Sequence, residues 1–273
     1  MRKLKGFTLI EILVVIAIVG LIISIAMVAV RNSKERARIT NVLSFDGTIK
    51  RSLGAYSAGI WDFNEGGAAT TTQDFSGNGN TGVIAGADWT CAGAANTPSG
   101  TGCSLDFIGA NSDFVNCGNN NSLNIASADK VTVMAWVKII ALPAGNAGVV
   151  SKRNATTTNY ELGITSAGKI FNYNGTATNI SIRSVPIGQW RHIAMSINQG
   201  TVTFYLDGVA DNSASSTTGT VHQGNLFIGK GTPTGEFFNG LIDDVRIYRE
   251  SITLTQIQKI YAEGAERLGI AKK

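Results

Sequence analysis

Trp190-Arg-His-Ile-Ala-Met-Ser-Ile197 and Thr201-Val-Thr-Phe-Tyr-Leu206 run with a period of two and are enriched in aromatic and β-branched residues. Successive side chains of a strand point to opposite faces, so such a period marks strands with a buried face. Asp207-Gly208 follows at once, a pair that accepts the positive φ angles of a tight hairpin turn. Val131-Thr-Val-Met-Ala-Trp136-Val-Lys138 has the same period further upstream. From Ile60 to about Arg249, clusters of Gly, Asn, Ser and Thr separate such runs at short intervals, as in a two-sheet sandwich. Composition agrees. Charged residues are 15% and Gly numbers 32 in 273 residues, which favours turn-rich β structure over charged helices.

Beyond this body the pattern lengthens. Thr253 and Gln256 fit a capping box for a short helix carrying Leu254, Ile257, Ile260 and Tyr261, with Gly264 expected as its stop. Upstream, every residue from Phe7 to Val30 is apolar or small except Thr8, Glu11 and Ser24. As a helix this run measures about 36 Å at ~1.5 Å per residue, enough to cross a bilayer core of ~30 Å with some tilt. Arg2, Lys3 and Lys5 precede it and hold that end in the cytoplasm, which sends the body outward. Ile39, Val42, Leu43, Ile49, Leu53 and Tyr56 continue at helical spacing, and the loose Gly54–Gly59 stretch ends the stalk. The fold class expected is therefore α+β: a long N-terminal helix, an all-β sandwich and a short C-terminal helix.

Charge excludes one class of partner. From residue 58 onward fourteen Lys and Arg stand against sixteen Asp and Glu, so the body carries no cationic footprint for nucleic acid. The basic excess lies at the N-terminus, where it is topological. Cys91, Cys103 and Cys117 form no C-x-x-C pair and lie far in sequence from His192 and His222, which argues against zinc. In an exported body Cys91 and Cys103 would close a short Gly-rich loop as a disulfide, leaving Cys117 over; the alternative is three reduced structural cysteines.

Lys5-Gly6-Phe7-Thr8-Leu9-Ile10-Glu11, followed by the apolar run, resembles the N-terminal signature of type IV prepilins and pseudopilins. The resemblance implies that a prepilin peptidase cuts after Gly6 and methylates the new N-terminus, Phe7. It also implies that Glu11 pairs with the Phe7 ammonium of a neighbouring subunit as the chain passes from the membrane into a homo-oligomeric fibre through the pilus assembly machinery. The chemistry fits, since a carboxylate in an apolar span costs about 2.5–3.5 kcal/mol at the bilayer centre and is tolerable when paired. Many pilins carry a Pro within this helix; here none occurs before Pro98, and Gly20 is the weak point. On this reading residues 1–6 are the leader, 7–57 the transmembrane and assembly helix with its stalk, and 58–273 the head. The precursor would be membrane-anchored and the mature chain extracellular, at the cell surface.

Seven phrases of the body resemble, in order, the laminin G-like, concanavalin A-like jelly-roll domains. They are Trp61-Asp-Phe-Asn-Glu65, Asp74-Phe-Ser-Gly-Asn-Gly-Asn80, Ser104-Leu-Asp-Phe107 and Val133-Met-Ala-Trp-Val137, then Trp190-Arg-His-Ile-Ala194, Phe204-Tyr-Leu-Asp-Gly208 and Gly240-Leu-Ile-Asp-Asp-Val-Arg-Ile-Tyr248. The resemblance implies a two-sheet jelly roll, often calcium-bearing and often binding glycan or protein. Asp74, Asn78 and Asn80 supply the hard oxygens that Ca2+ takes, on a Gly-spaced loop. Asp243 is expected to share an inward strand face with Leu241, Val245 and Ile247, where a structural Ca2+ would compensate its burial. The alternative is an Asx-rich turn, with Asp243 satisfied by backbone donors or an Arg.

Catalysis finds little support. Glu161 and Glu236 are isolated, Asp243 and Asp244 face opposite sides, and no G-x-S-x-G elbow or Cys/His arrangement occurs. His192 reads as a core residue of its strand. Phe171, Tyr173, Phe237 and Phe238 are either exposed faces for a glycan or protein ligand, or ordinary sandwich core. The sequence thus describes a structural subunit of a pilus-like fibre displaying a lectin-like head, with a minor pilin or pseudopilin adhesin as the alternative.

Overall fold

The computed structural model describes residues 53–267, except 92, 94–95, 99, 126–129, 155–156, 217–223 and 232–236; upstream it describes positions 13 and 19 alone. Leu53–Lys273 forms a compact unit distinct from Met1–Ser52. Its first strands are β1 (Ser57–Trp61), β2 (Thr71–Thr72), β3 (Gly82–Ala85), β4 (Asp88–Cys91), β5 (Cys103–Phe107) and β6 (Phe114–Asn116). Long strands follow: β7 (Val131–Ile139), β8 (Ala147–Arg153), β9 (Thr158–Ile164), β10 (Lys169–Tyr173), β11 (Thr178–Ser184) and β12 (Trp190–Asn198). The chain ends with β13 (Thr201–Leu206), β14 (Val209–Ser215), β15 (Leu226–Ile228), β16 (Gly240–Tyr248) and helix α1 (Leu254–Arg267).

These strands make two eight-stranded sheets. The first runs β14-β13-β12-β7-β16-β5-β4, with β1 also paired to β16; the second runs β11-β10-β9-β8-β15-β6-β3-β2. The β13–β14 hairpin turns at Asp207 and Gly208, whose φ angles of 54° and 71° are the positive pair that such a turn demands. Period-two faces meet in one apolar layer. Val133, Ala135, Val137, Ile193, Met195 and Phe204 line it from the first sheet, and Val115, Tyr160, Leu162, Ile164, Leu226 and Ile228 from the second. Each large side chain so buried contributes roughly 1.5–3 kcal/mol. Cys91 and Cys103, opposite each other on β4 and β5, form the disulfide, and Cys117 is a buried free thiol.

The other face of the first sheet carries Trp136, Trp190 and Leu241, and α1 covers them with Tyr261 and Ala265. The capping box is present: Thr253 N donates to Gln256 Oε1 at 2.8 Å and Gln256 N to Thr253 Oγ1 at 3.3 Å. Gly264 does not stop the helix, which continues to Arg267. Its role is close approach, because a Cβ there would lie 2.5 Å from Trp136 Nε1. The Trp136 and Tyr261 rings stack at 5.6 Å, and His192 packs edge-on against Trp136 at 5.5 Å.

His192 is buried as expected of a core residue, but under α1 rather than between the sheets. Neither of its ring nitrogens has a hydrogen-bond partner among the described residues. Burial pushes the imidazole down to about 4; Asp244 opposes that shift and Arg246 reinforces it. Because the folded value lies below the ordinary one, the stability that the neutral ring provides is full above about pH 6.5. It is lost as pH falls toward 4, a loss of roughly 3 kcal/mol. His192→Phe is expected to flatten the decline in denaturant midpoint between pH 7 and 4.5. An equally steep decline in the variant would place the acid sensitivity elsewhere.

Candidate functional site

Gly6, Phe7 and Glu11 lie outside the described residues. Among the described residues no helix is long and apolar enough to cross a membrane, and the Phe7–Val30 run lies almost wholly outside them.

Asp74, Asn78 and Asn80 come together at the open edge of β1. Asp74 Oδ1 accepts from Ile60 N at 3.0 Å and Ser76 N at 2.8 Å; its Oδ2 accepts from Ser76 Oγ, Asn80 N and Asn80 Nδ2 at 2.8–2.9 Å. Phe75 N donates to Ile60 O at 2.8 Å, so both backbone groups of Ile60 turn to this segment. Asn78 Nδ2 donates to the Ser57 and Ala58 carbonyls, Asn80 Nδ2 to that of Ala58, and Asn80 Oδ1 accepts from Ser122 Oγ. The loop therefore seals β1 with its side chains. Five donors converge on one buried carboxylate.

Asp243 does not join this cluster. β16 pairs with the other edge of β1, so the strand stands between Asp243 and Asp74. The expected inward face is also corrected. Register shifts between Asp243 and Arg246, with Asp244 at φ 45°, and the extra residue of this bulge reverses the alternation. Ile242, Val245 and Ile247 face the main core, while Leu241 faces α1 and Asp243 stands opposite Trp136. Asp243 Oδ1 accepts from Asp244 N at 2.7 Å. Calcium needs six to eight oxygens with lone pairs to give. The Asp74 carboxylate is turned instead to protein donors, and no group of three or more His, Cys, Asp or Glu among the described residues is placed to share a metal ion. Asp74, Asn78, Asn80 and Asp243 do not fit one calcium centre.

Of the four aromatic residues singled out in the sequence, Phe238 belongs to the core between the sheets, and Phe171, Tyr173 and Phe237 lie outside that cluster. Phe171 and Phe238 are buried, whereas Tyr173 and Phe237 are half-buried and each lies under a cation. The Arg153 guanidinium sits 4.7 Å from the Tyr173 ring centroid, and its Nη1 is 2.9 Å from Glu161 Oε2. Lys230 Nζ lies 4.6, 4.9 and 5.5 Å from the ring centroids of Phe114, Phe227 and Phe237. A bridge between Lys230 and Phe237 sets those two side by side, and Phe114 and Phe227 meet edge to face at 5.5 Å. Phe114, Phe227 and Lys230 were missed by the sequence reading. Their strands alternate correctly, but nothing local says that β6 and β15 pair.

A third cation behaves differently. Lys152 points into the sandwich, where its Nζ donates to Asn119 Oδ1 and the Gly224 carbonyl, and burial lowers it to about 8.

Two antiparallel sheets around one core, with an outer helix, define a lectin-like β-sandwich. Residues 109–258, more than half of the chain, match the family model of the concanavalin A-like lectin/glucanases superfamily, and the chain belongs to that superfamily. Residues 1–27 match the prokaryotic N-terminal methylation motif. The chain is thus a pilin-type N-terminus joined to a lectin-like domain. It is similar to a probable minor fimbrial protein of Dichelobacter nodosus, 42% identical over 53 residues, 19% of this chain and 33% of that protein. In fold it resembles the binding domain of a Paraclostridial mosquitocidal protein, with TM-score 0.61 and 14% identity over 77% of this chain and 53% of that one. It also resembles domain 4 of a GH43 extracellular arabinanase from Geobacillus stearothermophilus, solved with arabinotriose, with TM-score 0.53 and 19% identity over 76% and 98% of the two chains. The chain spans about a third of the fimbrial relative and half of the toxin chain.

Asp74→Ala leaves five donors without their acceptor and is expected to cost about 3 kcal/mol or more, read as a fall in denaturant midpoint. Chelator is expected to leave the wild-type midpoint unchanged. A midpoint that falls with chelator and recovers with Ca2+ would restore the metal.

Proposed function

We propose that this chain is a structural subunit of a type IV pilus-like surface fibre. The observation that carries this reading is the N-terminal methylation motif at residues 1–27, set ahead of a lectin-like head. On this reading the peptidase cuts between Gly6 and Phe7, and the membrane holds the precursor by its apolar helix. Glu11 then accepts the Phe7 ammonium of the adjacent subunit. Each charge is costly alone in an apolar bundle, so the pair selects the register at which subunits add. Homo-oligomeric packing of these helices forms the fibre core and sets the heads outside.

A second reading has a specific support. The similarity to a probable minor fimbrial protein favours a minor, adhesive subunit whose head engages a carbohydrate. The arabinotriose bound to the arabinanase domain makes a sugar the first ligand to try, although that likeness concerns fold. No catalytic step belongs to either reading.

Electron microscopy of purified fibres, with mass spectrometry of their subunits, separates the two. The structural reading expects the chain to be abundant and to begin at methylated Phe7; a trace amount favours the adhesin. Glu11→Ala is expected to leave membrane insertion intact while lowering fibre yield at least tenfold. Normal fibres from that variant would overturn the pairing.

A further inference from the structure

We propose that the Lys230 cluster is a binding site for an acidic carbohydrate, in which a carboxylated pyranose sets its carboxylate on Lys230 and its C–H face on the phenyl rings. This rests on the reading of the head as a carbohydrate-binding module and names the class of sugar and the residues that meet it.

Three observations carry it. First, Lys230 is half-buried, yet no Asp or Glu pairs with its ammonium and no oxygen accepts from it among the described residues; its Nζ lies over three aromatic rings. Three other cations that are buried or half-buried are handled otherwise. Arg153 has Glu161, Arg246 has Asp244 at 2.7 Å, and Lys152 has Asn119 and the Gly224 carbonyl. Aromatic faces within about 6 Å stabilise an ammonium by ~0.5–2 kcal/mol but leave its N–H donors for an anion.

Second, the surroundings suit a ring with one polar edge. Phe227 stands opposite Asn116, and Asn116 opposite the exposed Val83, in one row across β15, β6 and β3. Asn116 Oδ1 accepts from Gly118 N at 3.0 Å, which leaves its Nδ2 as a donor on the outward face beside the rings. A cation, an amide donor and aromatic faces together match the carboxylate, hydroxyls and apolar face of a uronic or sialic acid.

Third, the topology disfavours a peptide. β15 lies between β8 and β6, and β6 between β15 and β3, so neither has an open edge at which an extended peptide could add as a strand. Recognition must come from side chains. The head is not basic overall, so the attraction is local to Lys230 rather than a general polyanion field.

The test uses the full-length chain in detergent, so it does not depend on fibre assembly. Binding is measured by calorimetry with oligogalacturonate, sialyllactose, a neutral galacto-oligosaccharide and polyglutamate. The proposal expects saturable binding of oligogalacturonate or sialyllactose, and which of the two binds tells uronic from sialic acid. Lys230→Gln and Phe227→Ala are each expected to weaken it about tenfold, which corresponds to about 1.4 kcal/mol. Lys169→Gln, on β10 of the same sheet, is expected to leave it unchanged. Acidic-sugar binding that survives Lys230→Gln would overturn the site, and polyglutamate binding as strongly would overturn the sugar class. If only the neutral oligosaccharide binds, the carbohydrate reading of the head stands and this proposal fails. If no saccharide binds, both fail, while pilus assembly through Glu11 is judged separately by the fibres.

Discussion

β16 is the member on which the head depends. One of its edges is hydrogen-bonded to β7, and the other is shared by β5 near Gly240–Ile242 and by β1 near Val245–Tyr248. Strands from the beginning, middle and end of the head are thereby joined in one ladder, across about 190 residues of sequence. Closing so long a loop costs conformational entropy before any contact compensates it. The compensation is the apolar layer between the sheets, to which β16 contributes Ile242, Val245 and Ile247. The bulge at Asp243–Arg246 is where the strand passes from one neighbour to the next. Its reversal of the alternation lets Leu241 serve the α1 face, while Val245 serves the core.

The same economy governs the polar groups. Backbone groups on the open edge of β1 cannot be left bare, and the Asp74–Asn80 loop satisfies them with side chains rather than with another strand. A carboxylate that accepts five donors makes the loop rigid and withdraws its oxygens from metal chemistry. Under α1 the opposite choice was made: the Trp136 and Trp190 indole N–H groups and the His192 imidazole are packed against one another with no acceptor among the described residues. Tight aromatic packing, with Gly264 admitting the helix to the Trp136 ring, holds that side at a cost in acid stability.

The two ends of the chain have separate tasks. The N-terminal methylation motif of residues 1–27 marks the pilin-type part of the chain. The sandwich offers a rigid platform on which side chains of distant origin are held in fixed relation, as a recognition surface requires.

Local chemistry was legible from the sequence. The methylation motif is contiguous, the hairpin at Asp207-Gly208 needs only its own two residues, and the capping box spans four. Cys91 and Cys103 needed only the premise of export. The two-sheet architecture followed from period-two burial, because a strand with one apolar face must find another. What depended on strand pairing was not legible. Asp243 was assigned to the inward face because a bulge cannot be read from Asp-Asp, whose second residue takes a left-handed backbone only in its tertiary setting. Gly264 looked like a helix stop because the Trp136 ring that it accommodates lies 128 residues upstream. Phe114, Phe227 and Lys230 meet because β6 and β15 are neighbours in the second sheet. Sequence alone determined which segments bury a face and which chemistry each short motif carries; which residues meet across strands was decided by the tertiary structure, since that choice is made by packing over long separations.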